Sequence, residues 1–202
     1  MLGTPSQPPP RPTDPAPIRD RLSGGNPRML HNVDPVAKTV VAEPERLDEL
    51  IVCVLDGEDE IVRMRAGDAL EKVCRAQPLL LQPHVSLLLG DMAQIHQPSV
   101  QWHVAQMLGH VRLTPKQRHR AARLMNENLD ESTDWIVLNC SLDTLAVLAR
   151  QDPAVVDDLR HQLRRHEQSS YKSLANRARK LLIEFAPDPT ELLKPVTRGE
   201  PD

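Results

Sequence analysis

The sequence predicts an all-α protein made of repeated helix pairs. Three observations predict it. Four segments align with one another at a near-constant spacing, their shared residues fall on one helical face, and aromatic residues are almost missing. Of 202 residues only Trp102, Trp135, Tyr171 and Phe185 are aromatic. A core of Leu, Val and Ala suits helices packed in layers better than a β-sandwich, which draws on aromatic and β-branched side chains.

The aligned segments are "VRMRAGDALEKV" from Val62, "VQWHVAQMLGHV" from Val100, "VLNCSLDTLAVL" from Val137 and "LANRARKLLIEF" from Leu174, with starts 38, 37 and 37 residues apart. In each, the fifth, eighth, ninth and twelfth residues are apolar or small: Ala66, Ala69, Leu70, Val73; Val104, Met107, Leu108, Val111; Ser141, Thr144, Leu145, Leu148; Ala178, Leu181, Leu182, Phe185. That spacing marks one face of an α-helix. Its recurrence at this period marks a repeat architecture.

The intervals supply a second helix per repeat. Pro44, Pro78, Pro115 and Pro153 fit first helical turns, where a missing N–H costs nothing. "TPKQ" from Thr114 reads as a capping box, and Asp152 stands as a cap before Pro153. Pro83, deeper in "PLLLQPHVSLLL", either kinks its helix or marks its true start. Eight helices follow, in four antiparallel pairs. First (A) helices are expected at 44–55, 78–95, 114–129 and 152–166; second (B) helices at 59–75, 98–111, 132–150 and 169–186. The alanine-rich face of the first B helix lets its neighbours approach closely, and stacking buries faces that one pair could not bury alone.

The ends differ from this body. Residues 1–42 hold nine of the nineteen prolines, plus Gly24 and Gly25, and read as a disordered tail with polyproline II character around Pro8, Pro9 and Pro10. Residues 187–202 read as a second, shorter tail, and 43–186 as the repeat domain. The net charge of −3 predicts no general affinity for nucleic acid or membrane. Cys53, Cys74 and Cys140 show neither zinc spacing nor a disulfide framework and read as small hydrophobes in a reducing compartment. With no run of 18 apolar residues and no apolar core to a leader peptide, a cytoplasmic protein is the expectation.

The stretch "DEIVRMRAGDALEKV" resembles the second helix of the HEAT-repeat family, in particular its short bacterial members, through Val62, Arg63, Ala66, Ala69 and Leu70. Weaker copies follow over roughly 44–186. The family's Asp and Arg of the intra-repeat turn match only as Asp59 and Arg63; later repeats carry Gln101, Leu138 and Ala175 at the Arg position. The resemblance implies a right-handed α-solenoid of about four HEAT-like antiparallel helix pairs, with B helices lining a concave binding face.

On that face, residues off the apolar stripe form rows: Met64, Trp102, Asn139, Asn176; then Arg65, His103, Cys140, Arg177; then Asp68, Gln106, Asp143, Lys180, with Lys72 beyond. Mixed charge, amide and one tryptophan suit a protein or peptide partner. Trp102 reads either as an interface anchor or as packing against a neighbouring helix, and Trp135, beside a turn, as packing. His96, His103 and His110 recur every seven residues, a rise of about 10 Å that one metal ion cannot span. The basic runs 112–123 and 160–166 are flanked by acids and read as a solvated outer face. No glycine-rich phosphate loop, GxSxG or HExxH occurs, and no cofactor or metal is called for. The expectation is a non-enzymatic scaffold. The alternative, again by resemblance, is a nucleic-acid-binding relative of the DNA alkylation-repair glycosylases, with Trp102, Asp143 and Arg177 imitating their set; overall acidity disfavours it.

Overall fold

The computed structural model describes residues 16–26, 29–55 and 58–187. They form helices α1 (Ile18–Leu22), α2 (Val33–Ala42), α3 (Leu47–Leu55), α4 (Glu60–Ala76), α5 (Pro78–Leu81), α6 (Val85–Leu88), α7 (Pro98–His110), α8 (Pro115–Glu131), α9 (Trp135–Gln151), α10 (Val156–His166) and α11 (Lys172–Glu184). Among the described residues there is no strand, so the protein is all-α.

Local chemistry sets several helix starts. The Asp59 carboxylate accepts from the N–H groups of Ile61 and Val62 at 2.8 and 3.3 Å, and Asp134 does the same for Ile136 and Val137 at 2.8 and 3.1 Å. Thr114 and Gln117 form the predicted capping box. Each satisfies donors that a first turn otherwise leaves open. Asp152 accepts from Ala154 N–H, but Pro153–Val155 is a 3-10 turn ahead of α10.

Helices α2, α4, α7, α9 and α11 form a row in which each packs on the next. On the other side lie α3, α6, α8 and α10, packed respectively on α4, α7, α9 and α11. Small residues set the spacing within the row. Ala66, Ala69, Leu70 and Val73 are fully buried. A Cβ added to Gly67 would stand 3.4 Å from the His103 ring. The Thr144 hydroxyl of α9 donates to Ala105 O of α7 at 2.8 Å, a contact possible only where two backbones nearly touch.

Two expectations are corrected. The single helix expected over 78–95 is broken: α5, a 3-10 turn at Gln82–His84, α6, and another at Asp91–Gln94. Pro83 has no N–H to continue the ladder. Gly90 lies at φ −113°, ψ −106°, and a Cβ there would meet Ser86 O at 2.9 Å.

The second correction concerns the disordered segment expected at 1–42. Residues 16–26 and 29–42 carry α1 and α2, and Ile18, Leu22, Val33, Val36 and Val40 are fully buried against α3 and α4. Pro35 sits in the first turn of α2, where its missing N–H removes no helix bond. Val33, Val36, Ala37 and Val40 repeat the spacing of Ala66, Ala69, Leu70 and Val73, each 33 residues earlier. The expected polyproline II stretch at Pro8–Pro10 and nearly all of the C-terminal tail, 188–202, lie outside the described residues.

Candidate functional site

The face of the helix row turned away from α3, α6, α8 and α10 is the candidate site. Arg65 is not part of it. Its side chain is fully buried, and its guanidinium donates to four backbone carbonyls of the segment joining α1 to α2: Leu22 and Gly24 at 2.7 Å, Asn26 at 2.9 Å and Met29 at 3.1 Å. His103, from the same sequence row, is also buried, packed on Gly67 of α4. Arg177, again of that row, reaches back to Asp143 of α9 at 3.0 Å. Arg65 and His103 of this column therefore pack inward, whereas Arg177 stays about half exposed. The twelve-residue alignment is blind to that, because positions flanking the apolar stripe look alike until a neighbour is docked on one side.

Several other predicted polar residues are also engaged, within a helix or between helices. Lys72 of α4 bridges Asp34 of α2 at 2.7 Å and the nearly buried Asp68 at 3.2 Å. Burial works against the Lys72 charge, but the two carboxylates outweigh it and hold its pKa above the ordinary lysine value. The Lys72 hydrogen bond pulls Asp34 below the usual carboxylate range. His103 Nδ1 lies 3.2 Å from Gln106 Oε1, and burial pushes its pKa down to about 4, against the opposing pull of Asp68. Asn139 donates to Trp135 O at 2.7 Å and to Ser173 Oγ at 3.3 Å. Burial raises the Asp143 pKa, with Arg177 and Arg150 only partly offsetting it. The set Trp102, Asp143 and Arg177 is thus partly brought together, as an ion pair between α9 and α11.

Less engaged residues remain. Met64 and Trp102 are partly exposed, the Trp102 ring standing edge-on to His103 with centroids 5.5 Å apart. Lys180 is exposed, and exposed Asn176 accepts from Arg179 at 3.1 Å. Trp135, expected to pack, is 50% exposed, and Tyr171 39%. Neither was singled out by spacing. The readable signal was compositional: a core built almost wholly of aliphatic residues leaves Trp135 and Tyr171 for the surface.

Burial pushes the Cys74 and Cys140 thiols up to about 12 and about 11, which keeps them protonated at neutral pH. Among the described residues no group of His, Cys, Asp and Glu is placed to hold a metal ion, and no helix is long and apolar enough to cross a membrane. No family model, no curated protein and no solved structure matches the chain.

Proposed function

We propose that this protein is a non-enzymatic scaffold, a HEAT-like stack of helix pairs that holds a protein partner on the open face of its helix row. The observation that carries this reading is Trp102, partly exposed on the central helix of the row, in a chain whose buried core is aliphatic. Large aromatic side chains displayed on a rigid helix surface are the usual anchors of protein interfaces. Contacts between helices support it as well: Lys72, Asn139 and Arg177 each reach a neighbouring helix of a row whose spacing the small residues set, so the face is displayed on a fixed scaffold. The right-handed solenoid and the HEAT relationship belong to the same proposal, resting on the 37–38-residue period and on the stacking of the row.

Affinity capture from the native host, with the wild-type chain and a Trp102→Ala, Lys180→Glu variant, tests it. Both side chains lie off the buried stripe, so the variant folds. Loss of a specific protein partner from the variant is the expected result. A folded variant that retains every partner overturns the reading. Capture of nucleic acid alone, released steeply by salt, replaces it with the nucleic-acid alternative.

A further inference from the structure

Helices α4, α7 and α9 each have a later helix of the row packed on them, whereas the described residues end at Pro187, just past α11. The difference shows at aligned positions. Leu70, Leu108 and Leu145 are fully buried, but Leu182, which aligns with them, is partly exposed. Val73, Val111 and Leu148 are buried, and Phe185 is partly exposed. Ala146 of α9 is buried, and its counterpart Ile183 is the most exposed large apolar side chain among the described residues. Most of the outer face of α11 is polar, but its last turns gather an apolar patch. An apolar patch at the end of a stack marks a place where a further unit fits.

The chain that follows carries the sequence of such a unit. Pro78, Pro115 and Pro153 stand 37 and 38 residues apart, and Pro189 follows Pro153 by 36. Pro44 is followed at three and seven residues by Leu47 and Ile51, Pro78 by Leu81 and Val85, and Pro189 by Leu192 and Val196. Leu47, Ile51, Leu81 and Val85 are all buried. Residues four apart lie on one face of a helix. Asp188 before the proline and Glu191 three residues later are the residue types of a capping box. Within 188–202 the large apolar residues are Leu192, Leu193 and Val196.

We propose that residues 188–196 dock on the last turns of α11 as the opening turn of a fifth helix pair, with Leu192 and Val196 set against Leu182 and Ile183. The inference rests on the stacking of the row and is independent of any partner held on its open face. The segment begins beside the patch, so docking closes no long loop. The cap covers an apolar end that is otherwise free to join another copy head to tail, a contact that does not close on itself.

The test is the reactivity of Ile183→Cys in the full chain toward a thiol reagent. The wild-type chain, with Cys53 and Cys74 buried and Cys140 partly buried, gives the background. Ile183→Cys should react at least about tenfold more slowly in the full chain than in a chain ended at Pro187, or in one also carrying Leu192→Asp, Val196→Asp. A control that adds the same charge nearby, Thr197→Asp, Gly199→Asp, should stay protected. Circular dichroism should show the same helical spectrum for all of them, so faster reaction is not lost folding. Equal rates in the full and shortened chains overturn the proposal, as does protection that survives Leu192→Asp, Val196→Asp or is lost equally in the control. Protection that rises with protein concentration gives the face to a second copy and overturns the proposal as well. Loss of the scaffold reading in the capture experiment, with Ile183→Cys still protected, leaves the cap standing; an unprotected Ile183→Cys with capture intact removes the cap alone.

Discussion

At the N-terminal end of the row, Arg65 is fully buried and its donors end on four backbone carbonyls, with no carboxylate among those partners. At the C-terminal end, Arg150 and Arg177 are about half exposed and end on Glu184 at 2.7 Å and Asp143 at 3.0 Å. Both arrangements tie an end helix to its neighbour, but their physics differs. A buried guanidinium has given up its water, so every donor it carries needs a partner, and each carbonyl would lose that donor without it. Solvent and salt screen the exposed pairs, which contribute little individually. The apolar contacts follow the same division. Ile18, Leu22, Val33, Val36 and Val40 are fully buried, whereas α11 leaves Ile183 80% exposed. The N-terminal pair is built into the core, whereas α11 carries a largely polar outer face.

Removing the N-terminal pair breaks this comparison most severely. A chain beginning at Glu43 uncovers the apolar faces of α3 and α4 that α1 and α2 bury. Its thermal midpoint should fall by roughly 10 °C or more, read by circular dichroism. An unchanged midpoint would mean that residues 16–42 contribute nothing to the body.

Arg65→Met comes next. It fills much of the space and leaves the four carbonyls without their donor. The expected cost is about 3–5 kcal/mol in denaturant unfolding, unchanged between low and high salt. Amide exchange should speed up first in α1 and α2, before α9 and α11. Uniform loss of protection would show that Arg65 supports the whole row and not one end.

The smallest effect is at the far end. Arg150→Gln removes the Glu184 pair and the contact over the Phe185 ring, whose centroid lies 5.7 Å from the guanidinium carbon. Its Tm should drop by about 2 °C or less, and the difference should shrink as salt rises. A larger, salt-insensitive drop would make the two ends equivalent.

The B helices were legible because their signal is local and repeated. Four faces with one spacing leave little freedom in where α4, α7, α9 and α11 run, and all four fall within a few residues of expectation. The same spacing was present in Val33, Val36, Ala37 and Val40, but proline density hid it. Pro35 had to be judged by position within a turn and not by count. The site was read less well. Met64, Trp102, Asn176 and Lys180 keep exposed surface, while Arg65 and His103 are buried. The alignment placed them all on one surface because it has no term for the preceding helix.

The sequence by itself determined that the chain is helical, where caps and first-turn prolines start the helices, and which stripe of each B helix is buried. Those properties depend on residues three or four positions apart, whose side chains meet within a single helix whatever surrounds it. Only the tertiary structure decided that residues 16–42 join the body and that Arg65 is a clamp and not a contact for partners. The carbonyls that Arg65 finds are 36 to 43 residues away in the chain. Such partners are set by how close two helices come and how they are rotated, and the small residues Gly67, Ala105 and Gly109 fix that only once the helices have docked.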